Sequence, residues 1–131
     1  MRLWHIDLIP YLPKSQLLAQ WRELNSIIKK KDNHILINYV YNYDDKPFKN
    51  YTDAVLREMY NRGYKANIEL YRLYFSHVNT FGTERFKEHN NEYLTICYYN
   101  LKEKYIRGQK DFTDEIWNKL DKFYKEKINN E

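Results

Sequence analysis

Apolar residues recur along this chain at helical spacing. Leu17, Trp21, Leu24 and Ile28 form one stripe, which predicts a first helix from about 14 to about 31. Phe48, Tyr51, Val55, Leu56, Met59 and Tyr60 form a second stripe. Pro47 suits its first turn, and Gly63 in "NRGY" suits its end. A short helical piece is expected over 67–75. A third long helix is expected from about 83 to 105, with Phe86, Tyr93, Ile96, Cys97 and Leu101 inward and Gly108 closing it. A last helix over about 113–127 would bury Ile116, Trp117, Leu120, Phe123 and Tyr124.

The connections are less regular. In "DLIPYLPKSQ", Pro10 and Pro13 disfavour a helix just before each, and Ser15 suits an N-cap or first turn. Residues 35–41 are β-branched and aromatic, yet no second strand candidate exists to pair with them. They read as a buried irregular or short helical link. The reading is all-α: a single compact domain over 1–131, with about four helices on one core.

Composition narrows the class. One domain fits 131 residues, and 43% apolar against 31% charged residues suits a globular protein with a real core. No apolar run approaches the roughly 18–20 residues that span a bilayer, and the opening lacks the features of a signal peptide. A single cysteine, Cys97, excludes an internal disulfide framework and reads as a buried structural thiol. A cytoplasmic protein is expected, nucleoid-associated if bacterial, and a monomer. Fourteen tyrosines could stack on bases. A codon bias toward Tyr, Asn, Lys and Ile accounts for most of them.

The net charge of +4 has a location. Residues 1–31 carry six basic and two acidic residues, and the remainder is balanced. A basic zone on a neutral body suits a phosphate-binding surface, although Lys29, Lys30 and Lys31 also complement the dipole at a helix end. There is no glycine-rich phosphate loop, zinc-type cysteine pair, His-Glu-x-x-His or Gly-x-Ser-x-Gly. Four scattered histidines leave a three-histidine metal site open without pointing to one, and neither metal nor cofactor is expected.

Arg22 and Glu23 interrupt the first stripe. At 100° per residue they fall on opposite flanks of it. Positions three and four residues from Glu23 are Ala19, Gln20, Ser26 and Ile27, so no helical ion pair is available to it. Periodicity alone places both residues on the solvated surface.

Resemblance adds a second reading. "MRLWHIDLIPYLPKSQLLAQWRELNSI" resembles the pyrimidine-dimer DNA glycosylase family at Leu8, Leu12, Leu17, Ala19, Arg22, Glu23 and Leu24. "NHILINYVYNYDDKPFKNYTDAVLREMYNRGYK" is similar at His34 and at Arg62, Gly63 and Tyr64. Leu101, Glu103 and Lys104 give a weaker match. The opening "MRLWH" also looks like that of bacterial relatives of this family. The resemblance covers about two-thirds of the chain.

What it implies is a repair enzyme for double-stranded DNA carrying damaged pyrimidines or abasic sites. Its nucleophile would be the N-terminal α-amine, which forms a Schiff base with the sugar. An α-amine has a pKa near 7.7–8 against about 10.4 for lysine, so roughly a tenth is free at neutral pH. Arg2 is too large for ordinary methionine removal, so the amine is expected to belong to Met1. Arg2 and Arg22 would depress its pKa further. The family's essential carboxylate matches Glu23, and its lesion-side backbone contact matches Arg22. His34, Lys14, Lys29 and Lys30 are further expected DNA contacts. Two positions that are basic in the family hold Leu3 and Ser26 here. Two other classes stay open on the sequence: a nucleic-acid-binding module without the chemistry, and a helical enzyme or interaction protein of another kind.

Overall fold

The structure is a computed structural model, and it describes residues 2–78 and 83–130. Five α-helices run in order: α1 Lys14–Lys29, α2 Asp45–Asn61, α3 Glu69–Tyr74, α4 Asn91–Ile106 and α5 Asp114–Asn129. Two 3-10 helices, Ile6–Tyr11 and Asn38–Asn42, occupy connections. No strand occurs among the described residues. The fold is all-α, as the periodicity predicts. No helix is long and apolar enough to cross a membrane among the described residues.

Each terminus has a local cause. Asp44, Asn90 and Thr113 cap α2, α4 and α5 with side-chain oxygens on first-turn N–H groups. α1 begins after Pro13 with no acid of its own in the first turn. Asp111 supplies one from a distant loop, accepting from the Ser15 N–H at 2.7 Å and from its hydroxyl at 3.1 Å. Gly63 and Gly108 end α2 and α4 with φ of +80° and +86°. In each, the glycine N–H and the next N–H turn back onto carbonyls of the last turn.

α1 packs on α2 and α3, α4 packs on α5, and the first 3-10 helix lies against α2 and α5. The core between them holds Leu8, Leu17, Leu24, Phe48, Val55, Met59, Leu94, Leu101 and Leu120. Cys97 is buried and unpaired, and burial pushes its thiol pKa up, so it is the inert structural cysteine expected.

Four expectations are corrected. The third long helix starts at Asn91 and not near residue 83. Residues 84–90 form a non-helical strap: Asn50 donates to the Glu84 carbonyl, Phe86 is buried, and the Tyr43 hydroxyl bridges Lys87 and Glu88. Asn90 then provides the cap that starts the helix. Within α4 the buried residues are Leu94, Cys97, Tyr98 and Leu101, which leaves Ile96 44% exposed. Apolar residues surround this helix, so pattern alone misjudged its inner face. Tyr60 on α2 is likewise half exposed, and in the 35–41 link Ile35 and Leu36 face solvent while Ile37 and Val40 are buried.

Candidate active site

The site begins with how the amino-terminal segment is held. Gln20 lies inside the apolar stripe of α1 and is 3% exposed. Its carbonyl oxygen accepts from the Trp4 N–H at 2.8 Å and from the Tyr51 hydroxyl at 2.9 Å. Its amide donates to the Arg2 carbonyl at 3.2 Å. Tyr51 also approaches the Trp4 carbonyl at 2.7 Å, and the Tyr93 hydroxyl donates to the Leu3 carbonyl. Leu3 is fully buried. Three helices therefore fix the backbone of residues 2–4 through buried and partly buried hydrogen bonds, a precise anchor.

A second polar layer supports the same segment from below. His89 accepts from the Ile6 N–H at 3.1 Å through Nδ1 and pairs with the Tyr39 hydroxyl at 2.8 Å through Nε2. His5 stacks on it with ring centroids 5.5 Å apart, and its Nδ1 accepts from the Asp7 N–H. Burial lowers both imidazoles, to about 4 for His5 and about 3 for His89. Both are neutral at pH 7, so the 4.0 Å approach of His5 to the Asp7 carboxylate is not an ion pair there.

Beside this anchored segment is a cleft of about 280 Å³, lined by Arg2, Trp4, Gln16, Gln20, Glu23, Asn100 and Lys104, among others. Glu23 is partly buried, and its Oε1 is a buried acceptor with no hydrogen-bond partner among the described residues. Such an orphaned acceptor costs about 1–3 kcal/mol in a folded protein and needs a reason. Burial raises the Glu23 pKa, the positive charge of the chain's amino terminus lowers it, and Asp32 and His34 act with smaller effects of opposite sign. Arg2 stacks on Trp4 at 5.7 Å from the ring centroid.

Arg22 faces elsewhere. It lines a larger cleft of about 620 Å³ between α1 and α3, with Asn25, Ser26, Lys29 and Leu73 among its walls. Helical geometry explains the division: residues 16, 20 and 23 lie on one flank of α1, and 22, 25, 26 and 29 on the other. The smaller cleft is the better candidate for chemistry, because it holds the orphaned carboxylate oxygen and the rigid segment. Arg22, Lys29 and Lys30 are exposed, and none forms an ion pair among the described residues. Lys14 sits at the far end of α1, its ammonium 5.2 Å from the centre of the Tyr64 ring.

The sequence model of the family described as pyrimidine dimer DNA glycosylase matches residues 1–72. The chain belongs to the pyrimidine dimer DNA glycosylase family. No curated protein and no solved structure matches it significantly. The matched part of this glycosylase-family chain contains α1, the anchored segment, Arg22, Glu23 and the basic residues at the end of α1.

Of the residues singled out by sequence, Arg2 and Glu23 share one cleft and His34 lies within electrostatic reach of it. Arg22 and Lys29 share the other cleft, and Lys14 belongs to neither. Met1 lies outside the described residues. Sequence reasoning missed Gln20 and Asn100. A polar residue three after Leu17 and four before Leu24, within the apolar stripe, was a readable sign for Gln20. Asn100 gave none, since it comes from α4 through tertiary packing.

Proposed function

We propose that this protein is a glycosylase and abasic-site lyase that acts on double-stranded DNA at pyrimidine dimers, as a monomer, with the Met1 α-amine as nucleophile and Glu23 as the working carboxylate. The observation that carries the reading is the buried Glu23 Oε1, without a partner among the described residues, in the cleft beside the anchored residues 2–4. An acceptor without a donor is suited to a proton or a positive charge that arrives with the substrate. Membership of the family supplies the substrate class.

The steps follow from that arrangement. The free amine bonds to C1′ of the damaged nucleotide as the glycosidic bond breaks. The ammonium so formed gives up a proton, and the base takes one as it leaves C1′, staying joined to its partner pyrimidine through the cyclobutane ring. Opening of the sugar ring gives an imine, and loss of a C2′ proton expels the 3′ phosphate. Glu23 stabilises the cationic sugar and then carries protons between these steps. Burial suits it to both tasks, because a raised pKa lets a carboxyl exchange protons nearer neutral pH. Arg2, held over Trp4, would help keep the amine unprotonated by charge repulsion.

The exposed cations of α1 are the proposed phosphate contacts: Arg22, Lys29 and Lys30, with Lys14 and His34 at the margins. Separation of the two clefts gives a division of labour. One flank of α1 holds the duplex and the other reaches the damaged sugar.

The reading is tested with a duplex carrying one cyclobutane dimer beside an undamaged control. Wild-type protein is expected to nick the dimer strand only, leaving a 5′ phosphate and a modified 3′ sugar. Intact dimer duplex, with an intact abasic-site duplex in parallel, overturns it.

A further inference from the structure

The segment that follows α1 ends in an apolar tip. Ile35 is 80% exposed, more than any other large apolar residue among the described residues, and Leu36 beside it is 38% exposed. Exposure of this kind normally accompanies a floppy loop, but this turn is tied on both sides of Ile35. The Asp32 carboxylate accepts from the His34 N–H at 2.9 Å, and the His34 ring accepts from the Leu36 N–H at 3.1 Å. The His34 carbonyl takes both the Ile37 and Asn38 N–H groups. At its base the Asp32 N–H donates to the Tyr41 hydroxyl at 2.8 Å, and Ile37 is fully buried in the core. The turn is thus built to hold Ile35 outward at the cost of solvating an isoleucine.

Its position supplies the occupant. Lys29, Lys30 and Lys31 lead directly into it, all exposed. Asp32 and His34, within the same turn, lie close enough to Glu23 to act on its charge. An apolar tip that follows a run of exposed lysines, near the proposed reaction centre, matches what a bent duplex presents: phosphates outside, and base faces where a step opens.

We propose that Ile35, backed by Leu36, is a wedge that enters the base stack of double-stranded DNA beside the damaged nucleotide and holds that step open while the damaged sugar faces the Glu23 cleft. The inference rests on the DNA-repair reading above. Aliphatic side chains placed between base steps unstack and kink the duplex, and the exposed Ile35 surface is recovered as contact with base faces. Opening the step widens access to the damaged sugar.

The test uses a duplex with a tetrahydrofuran abasic analogue, which the enzyme cannot cut, and 2-aminopurine as its neighbour. Binding of wild-type protein is expected to raise 2-aminopurine fluorescence. Ile35→Ala, at an exposed position, is expected to bind undamaged duplex as wild type does but to lose most of the fluorescence rise. Ile35→Met, which keeps an apolar tip, is expected to retain it. Cleavage of a dimer duplex by Ile35→Ala is expected to fall roughly tenfold, the loss that removal of one buried aliphatic contact produces. Equal fluorescence rises for wild type and Ile35→Ala, or no rise with either, overturn the wedge. Wild-type protein that unstacks the probe but cuts neither dimer nor abasic duplex supports the wedge and overturns the lyase reading.

Discussion

Arg22 and Glu23 are neighbours in the chain and differ in almost every physical respect. Arg22 is exposed on the wall of the larger cleft, among Asn25, Ser26 and Lys29. Glu23 turns into a smaller cleft beside a backbone segment fixed by Gln20, Tyr51 and Tyr93, and one of its oxygens has no partner among the described residues. A cation at a solvated surface attracts phosphate at long range and needs no fixed geometry. A carboxylate that exchanges protons with a reacting sugar needs position within a fraction of an ångström and a dry setting. One turn of helix separates these demands by placing them on two flanks.

The comparison breaks most visibly under Glu23→Gln. Cleavage of dimer duplex is expected to fall on the order of a thousandfold, the range that general acid–base groups supply. Affinity for the duplex is expected to stay near wild type. Stability should rise slightly at neutral pH. Burial raises the Glu23 pKa, so the folded state holds that proton more tightly than the unfolded chain. The ionised form is therefore a destabilising feature that grows as pH rises through the unfolded value, and glutamine removes it. Urea unfolding beside single-turnover kinetics reads both effects. A Glu23→Gln protein that is less stable and still active would make Glu23 a structural residue.

The frame around Glu23 comes next. Gln20→Ala strands the Trp4 N–H and the Arg2 carbonyl in a buried setting. A loss of about 2–3 kcal/mol in unfolding free energy is expected. Cleavage should fall with it under conditions where the protein remains folded, since residues 2–4 lose their anchor.

Acid acts on the same frame through His5 and His89. Their folded pKa values of about 4 and about 3 lie below the ordinary 6.5. Between these values the unfolded chain binds protons that the folded chain refuses. The stabilisation is full above about pH 6.5 and is lost as pH falls toward 4 and 3, with a slope of up to about 1.4 kcal/mol per pH unit for each ring. Urea midpoints at pH 7 and pH 5 test this, and His89→Gln should flatten the dependence by about half.

The smallest expected effects belong to the Arg22 flank. Arg22→Ala and Lys29→Ala should each make the plot of log affinity against log salt shallower by about one unit, and leave the cleavage rate at saturation near wild type. A large fall in saturated rate for Arg22→Ala would erase the division between the flanks.

Much of this was legible in the sequence, for reasons that differ by element. The stripes of α1, α2 and α5 are one-sided, so spacing revealed their inner faces and the glycines revealed where α2 and α4 stop. α4 is apolar on several sides, and residues 84–90 are held by tertiary hydrogen bonds to Asn50 and Tyr43, so neither its face nor its start could be read from spacing. At the site, the absence of a basic residue three or four positions from Glu23 was informative: the carboxylate indeed makes no ion pair among the described residues. Periodicity nonetheless placed Glu23 on the solvated surface, because an amphipathic pattern cannot know that the backbone of residues 2–4 and the side chains of α4 fold over that flank. Resemblance to the family pointed to Glu23 where periodicity could not.

The central claim is that an amine at the amino terminus and the Glu23 carboxylate act together on a DNA sugar. Borohydride trapping on labelled abasic duplex tests it most directly. Wild-type protein is expected to give a covalent adduct whose peptide map places the label at residue 1. N-terminal acetylation should abolish that adduct. An adduct mapped to a lysine, or no adduct from folded protein with a free amino terminus, would contradict the account.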